Sequence, residues 1–425
     1  MKALHFVVLS LFVASIVSAQ APRNAATPAQ QKISWAEAAI KAHPDKSQPY
    51  NDLAVGYVQR VRETADPGYY VQAEAALQKS FQIAPDNLEG HKAQIMVLLG
   101  RSESAQALRF AKALNKRTPD DILLYGFVAD AAIAIGDYRE AEHAAQWMLD
   151  MRPGNVPGLL RGAALRRLYG DAPGAADFFS QAYQQMAPTQ TEDLAWTLTQ
   201  MADLQLSIGN IDGSEQLLRS ALQQFPGYYA SLEELAKVQT ARQRYPEAVE
   251  LLRRRNQNFP TAASRYALAQ ALERARQNTE ADLAYGDFVG SARALVDAGN
   301  NANQELIFYY LGRGQNPVEA LRIARLEIAR RHDVNIVDAY AWALCANAQY
   351  DEAQKQIAAA LVVGVREATF FYHAGVIAAK LHDEALAARY FKQSVELNPT
   401  SETAASAREA LQQLVPTSAA ARGQK

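Results

Sequence analysis

The sequence predicts an all-α protein, a solenoid of about ten stacked helix pairs with a capping helix at its C-terminal end. Three observations predict it. Prolines recur at a fixed step: Pro85, Pro119 and Pro153 are 34 residues apart, as are Pro226 and Pro260. The other intervals are near multiples, with Pro153 to Pro188 at 35, Pro188 to Pro226 at 38 and Pro260 to Pro399 at 139. Each proline closes one helical run and precedes the next, because its ring fixes φ and removes a backbone donor. Small residues return at matching places, as in Gly136, Asp137 and Ala141, or Ala374, Gly375 and Ala387. Between them, large apolar residues three and four apart form the seam of an amphipathic helix.

At the N-terminus, Met1-Lys2 and the apolar stretch Leu4 to Val17 end at Val17-Ser18-Ala19. This is the layout of a signal peptide, residues 1–19, cut before Gln20; an uncleaved anchor is the other reading. Residues 20–32, with Pro22 and Pro28, are expected to be a flexible linker, and residues 33–414 the solenoid. A lead helix is expected at 33–42. The units follow at 47–85, 88–119, 122–153, 156–188, 191–226, 229–260, 262–297, 301–332, 334–365 and 368–399. A last helix at 402–414 covers the apolar edge of the tenth unit, as a solenoid end requires. Residues 415–425 are expected to be a disordered tail.

Three units depart from the pattern. The first carries about seven extra residues, Glu63 to Gly68 with Asp66-Pro67-Gly68, read as a longer connection. The second has Gln94-Ile95 where small residues belong, which predicts a looser helix pair. The seventh lacks its closing proline, so its second helix is expected to run to about Val296.

These repeated residues resemble the tetratricopeptide repeat family over nearly the whole chain after residue 32. Three stretches are similar to a subset of exported bacterial members: Arg62 to Tyr70, Asp338 to Leu344 and Phe371 to Gly375. The resemblance implies a right-handed superhelix whose first helices line an inner groove, and it implies no chemical activity. Some relatives clamp a partner's C-terminal carboxylate with Lys and Asn on successive inner helices. Here Lys92 and Met96 occupy inner positions without that Asn.

Composition narrows the partners. Lys plus Arg total 43 and Asp plus Glu 45, a formal charge of -2, with no basic stripe for nucleic acid. After residue 19 the longest apolar run, Ile357 to Val365, is too short to span a bilayer. Cys345 is the sole cysteine, so no internal disulfide forms; among Ala and Leu it reads as a small buried hydrophobe.

No catalytic, cofactor or metal motif emerges. The seven histidines show no metal-binding spacing, and His-Glu-x-x-His, phosphate-loop and nucleophile-elbow patterns are absent. The pair Glu233-Glu234 reads as a helix face and not as acid/base machinery. The inner register instead selects candidate partner contacts: Trp196, Asp203, Glu233, Lys237, Tyr266, Gln270, Glu305 and Tyr309. Asp338, Trp342, Tyr372 and His373 form a further patch near the C-terminal end. That patch has two readings, a peptide-contact site or packing between units with His373 bonded to Asp338. Replacing Trp342 and Tyr372 with Ala separates them, since the first loses binding and the second loses stability. The expected function is a non-enzymatic scaffold, exported to the periplasm or beyond, that binds protein or peptide. The alternative is a cell-wall glycan binder that uses the same aromatics.

Overall fold

The prolines mark helix ends, and the residues just after them start new helices. Asn87, Asp121 and Asn155 lie two residues after Pro85, Pro119 and Pro153. Each accepts a backbone N–H of the helix it opens, satisfying a donor with no partner inside the helix. Stop and start signals together thus set the 34-residue step. The computed structural model describes residues 26–257, 259–294, 296 and 303–414. Among them are 22 α-helices and no strand.

The helix α1 (Pro28–Ala42) leads, followed by α2 (Gln48–Thr64) with α3 (Gly68–Ile83), and α4 (Leu88–Gly100) with α5 (Ser104–Asn115). The third to fifth units pair α6 (Ile122–Ile135) with α7 (Tyr138–Met151), α8 (Val156–Leu168) with α9 (Ala172–Gln185), and α10 (Thr191–Ser207) with α11 (Ile211–Gln224). The sixth and seventh pair α12 (Tyr229–Ala241) with α13 (Tyr245–Arg255), and α14 (Ala262–Arg274) with α15 (Asn278–Arg293). The last three pair α16 (Asn303–Leu311) with α17 (Pro317–Ile328), α18 (Val334–Ala346) with α19 (Tyr350–Val362), and α20 (Ala368–Lys380) with α21 (Glu384–Leu397). The cap is α22 (Glu402–Leu414).

Four expectations need correction or comment. The lead helix begins at Pro28 and not at residue 33, because Thr27 forms a capping box with Gln30 and proline suits a first helical position. Residues 28–32 are therefore helix and not linker. The extra residues of the first unit are no long connection either. Glu63 and Thr64 extend α2, only 65–67 link the helices, and Gly68 opens α3. The extra turn carries buried Glu63 to the start of α1, where it accepts from Thr27 Oγ1 at 2.5 Å and from the Ala29 N–H at 2.9 Å. In the seventh unit α15 ends at Arg293, short of Val296. In the second unit α4 and α5 do pack less closely than other pairs, and fully buried Ile95 stands where a small residue elsewhere admits the partner helix. The signal sequence 1–19 and the tail 415–425 lie outside the described residues.

Within a unit, small residues permit the close crossing. A Cβ on Gly375 of α20 would sit 2.5 Å from the ring of Phe391 on α21, so only glycine admits that buried ring. Neighbouring first helices also touch, as α2 touches α4 and α10 touches α12, whereas the second helices stand further apart. This asymmetry curves the stack and puts the first helices on its inner wall. The outward side of α22 is polar, with Arg408, Glu409, Gln412 and Gln413 exposed, while Ala404 and Ala407 are buried against the tenth unit. No described helix is long and apolar enough to cross a membrane.

The curvature brings distant units into contact. Arg62 at the end of α2 reaches Glu192 (2.7 Å) and Asp193 (2.8 Å) at the start of α10. The Tyr138 hydroxyl accepts the Val334 N–H at 2.8 Å, and the His332 N–H reaches the Ile135 carbonyl at 3.2 Å. Asn398 donates to the Leu206 carbonyl at 3.2 Å, and Arg274 grips Glu402 with two bonds of 3.0 and 2.9 Å. Most of these contacts join the turn inside one unit to a loop between units roughly five units on, as expected when a small rotation per repeat accumulates. The coil closes rim against rim. The following turn therefore stands over part of the inner wall, around Trp196 and Gln200.

Candidate partner-binding surface

The inner row of helices is stitched by polar contacts between successive units. Lys92 is buried and paired with Glu89 (2.9 Å) and Asp121 (2.5 Å), so it is not free to hold a carboxylate. Arg161 on α8 meets Asp130 on α6 at 2.5 Å, and Thr199 on α10 meets Ser231 on α12 at 2.7 Å. Such contacts satisfy groups that the stacking buries. Several sequence-selected residues are occupied in this way.

Asp203 pairs with Arg167 of the preceding unit at 2.5 Å. Glu233 holds Arg255 at 3.1 Å; that buried guanidinium also donates to the Phe259 carbonyl at 2.8 Å and lies over the Tyr229 ring. Asp338 and His373 are both buried and bond at 2.9 and 3.0 Å through His373 Nδ1. The Trp342 ring stacks on His373 at 4.2 Å and 13°, and Tyr372 tilts against Trp342 at 6.3 Å. The four residues of the C-terminal patch thus come together, in the geometry of packing between units. Trp342 and Tyr372 remain half-buried.

The middle of the wall differs. Lys237 keeps 56% of its side chain exposed while bonding Glu234 at 2.6 Å. Burial works against its charge, but Glu234 and Asp203 outweigh burial and hold the ammonium above its ordinary value. Burial likewise raises the Glu234 carboxyl, with Lys237 opposing. Trp196 lies half-buried on α10, one unit before, beside a cavity of about 260 Å³. Arg167 and Gln200 line that cavity from the same wall, and Val334, Asn335 and Glu367 line it from the following turn.

One unit beyond Lys237, Tyr266 and half-buried Gln270 share α14. Tyr266 lies 4.8 Å from Phe288, and Tyr309 packs on the same Phe288 at 5.9 Å, so both rings belong to an aromatic cluster between units. Burial lifts the Tyr266 hydroxyl to about 12. Burial also pushes the Glu305 carboxyl up to about 7, and its Oε2 has no hydrogen-bond partner among the described residues.

Sequence reasoning missed Arg167 and Glu367, and took Glu234 only for a helix face. The three-residue spacing of Glu234 and Lys237 was a usable signal for this last residue. Glu367 carries no such signal, because it meets the inner wall only through the closure of the coil. Among the described residues no group of three or more His, Cys, Asp or Glu could hold a metal ion.

An inner wall of first helices and an outer layer of second helices define an all-α repeat solenoid. Residues 206–272 match the tetratricopeptide repeat profile, and the same helix pair recurs before and after that stretch. Over that stretch the chain carries tetratricopeptide repeats. No curated protein matches it. Solved structures that resemble it include a chain of the APC/C hetero-tetramer Cut9-Hcn1, at 14% identity and a TM-score of 0.45. That match covers 90% of this chain, which spans only 58% of the other's length. The human IFIT1 dimer with PPP-AAAA matches at 12% identity and a TM-score of 0.49, covering 86% and 85% of the two chains. A thermophilic TPR protein of Thermus thermophilus matches at 20% identity and a TM-score of 0.40, covering 46% and 99%.

Proposed function

We propose that this protein is a non-enzymatic scaffold that holds a polypeptide along the inner wall of its middle units, and that it works after export from the cytoplasm. The observation that supports this reading is the state of Lys237. It is solvent-accessible on an otherwise cross-linked wall, next to carboxylates, with Trp196 and Tyr266 on the first helices of the units before and after. Aromatic anchors beside a charged group suit an extended peptide, which offers backbone amides and mixed side chains. Trp342, Tyr372, Gln270, Glu305 and Tyr309 would extend the same wall. Asp203, Glu233, Asp338 and His373 act by holding it in shape.

The test places a photoreactive amino acid at Lys237 and, as a control, at Leu283, which is 69% exposed on α15 in the outer layer. Irradiation of intact cells should join a defined polypeptide to position 237 and not to 283, with less product when Trp196 is also replaced by Ala. Equal capture at both positions, or retention of the purified protein on cell-wall glycan alone, would defeat the reading. This protein isolated from the same cells should begin at Gln20; a first residue of Met1 would mean that residues 1–19 are not cut off.

A further inference from the structure

We infer that the closed coil is one of two states, and that its rim contacts form a clasp whose release unwinds the coil and uncovers the inner wall without unfolding any unit. Two classes of contact hold the molecule, and they differ in kind. Neighbouring units share fully buried apolar side chains, among them Phe179, Leu218, Phe288, Ile323 and Phe391. Successive turns are joined at the rims by ion pairs and single hydrogen bonds, and by one apolar seam where Tyr138 enters the core of the later units and Ile133, Leu168 and Tyr169 pack against it. Partly exposed ion pairs and isolated hydrogen bonds contribute little each, and the one apolar seam is small beside the continuous apolar packing between units. The rims therefore part before the units do. A solenoid accommodates such motion through small rotations distributed over many interfaces.

The clasp closes over the wall assigned to the partner. Asn335, in the first turn of α18, and Glu367, just before α20, line the same cavity as Trp196 and Gln200 on the earlier turn. An extended chain cannot lie along Trp196 while those helix starts are seated there. The functional meaning rests on the inner wall being the binding surface; the existence of two states does not.

Gly136 offers a controlled way in. It caps α6 with φ +85°, and a Cβ there would collide with the His332 carbonyl of the later turn. Gly227 has a similar φ of +78°, with nothing within 4 Å of its added Cβ. Alanine strains the backbone alike at both sites and props the rims apart only at Gly136. Arg62→Glu opposes Glu192 and Asp193 directly, and adding Asp193→Arg restores a pair.

Small-angle X-ray scattering of the full chain, with circular dichroism in parallel, reads the result without a partner. The wild type should be compact at low salt. It should expand at 1 M salt, where charges are screened beyond about 3 Å. Gly136→Ala and Arg62→Glu should raise the radius of gyration with unchanged helix content, while Gly227→Ala and the charge swap stay compact. An unchanged radius in both opened variants and at high salt overturns the proposal. So does expansion only in step with helix loss, or a wild type already extended at low salt. Failure to capture a polypeptide at position 237 would leave these readouts untouched.

Discussion

His373 lies between Asp338 on α18 and the rings of Trp342 and Phe308, so one buried side chain on α20 ties three successive units. Trp342→Ala would open a gap beside a buried imidazole. For a half-buried ring the expected loss is about 2 kcal/mol, visible as a lower thermal midpoint. An unchanged midpoint would refute this packing role of Trp342. Glu305 gives a pH signature. Its folded carboxyl sits at about 7 against an ordinary 4.5, so the folded chain keeps a proton that the unfolded chain gives up. Stability from this group is full below about 4.5 and falls as pH rises towards 7. Glu305→Gln should therefore raise stability at pH 8 by on the order of 1–3 kcal/mol and change little at pH 4. Denaturant titrations at the two pH values decide it, and a variant equally stable or weaker at pH 8 refutes it. The sequence showed which residues share the inner register, because the period fixes the face. It did not show which of them the fold consumes. Arg255, the partner of Glu233, lies on a second helix, outside the register that selected Glu233.

At the level of elements, most boundaries were legible from chemistry that repeats. The residue two places after a proline opens a helix, and the turn inside a unit adopts a left-handed residue at a constant place. Ser102, Gly136, Gly170, Gly209, Gln243, Arg276, Ala348 and His382 all occupy it. Only three are glycine, so the others bear a backbone strain that a side chain makes worse. Ala348 is exposed, and Ala348→Gly should stabilise the chain by about 0.5–1 kcal/mol, read as a higher denaturation midpoint. A loss of stability would mean that the turn is not strained. Ion pairs add a second repeated device. Arg101 at the end of α4 reaches Glu74 on α3, and Arg242 at the end of α12 reaches Asp212 and Glu215 on α11. Arg313, just past α16, reaches Asp282 on α15 and Glu273 on α14. A cation near a helix C-terminus suits the helix dipole and here also binds the preceding unit. What misled at this scale was local spacing without tertiary context. Asp66-Pro67-Gly68 is turn chemistry, yet Glu63 and Thr64 stay helical because Glu63 is needed at the start of α1.

The molecule as a whole was the least legible. A repeat reports what a unit does to its neighbour, and the closure depends on small rotations summed over about five units. No residue pattern marks Arg62 for Glu192, 130 positions away, or Tyr138 for Val334. The predicted opening belongs to this scale, because it depends on the sum of the clasp contacts. Partly exposed ion pairs contribute about 0–1 kcal/mol each and single hydrogen bonds about 1 kcal/mol, and the apolar seam at Tyr138 adds to them. A handful of them makes a balance that salt or one charge reversal can tip.

The same contrast of strengths governs the response to load. If the two ends were drawn apart, the polar seams would give way first and the helix pairs would stay intact. The chain would lengthen at low force, as a spring does, before any stack ruptured, and would recoil when released. A protein anchored to partners that move would thus keep hold of them across a changing span.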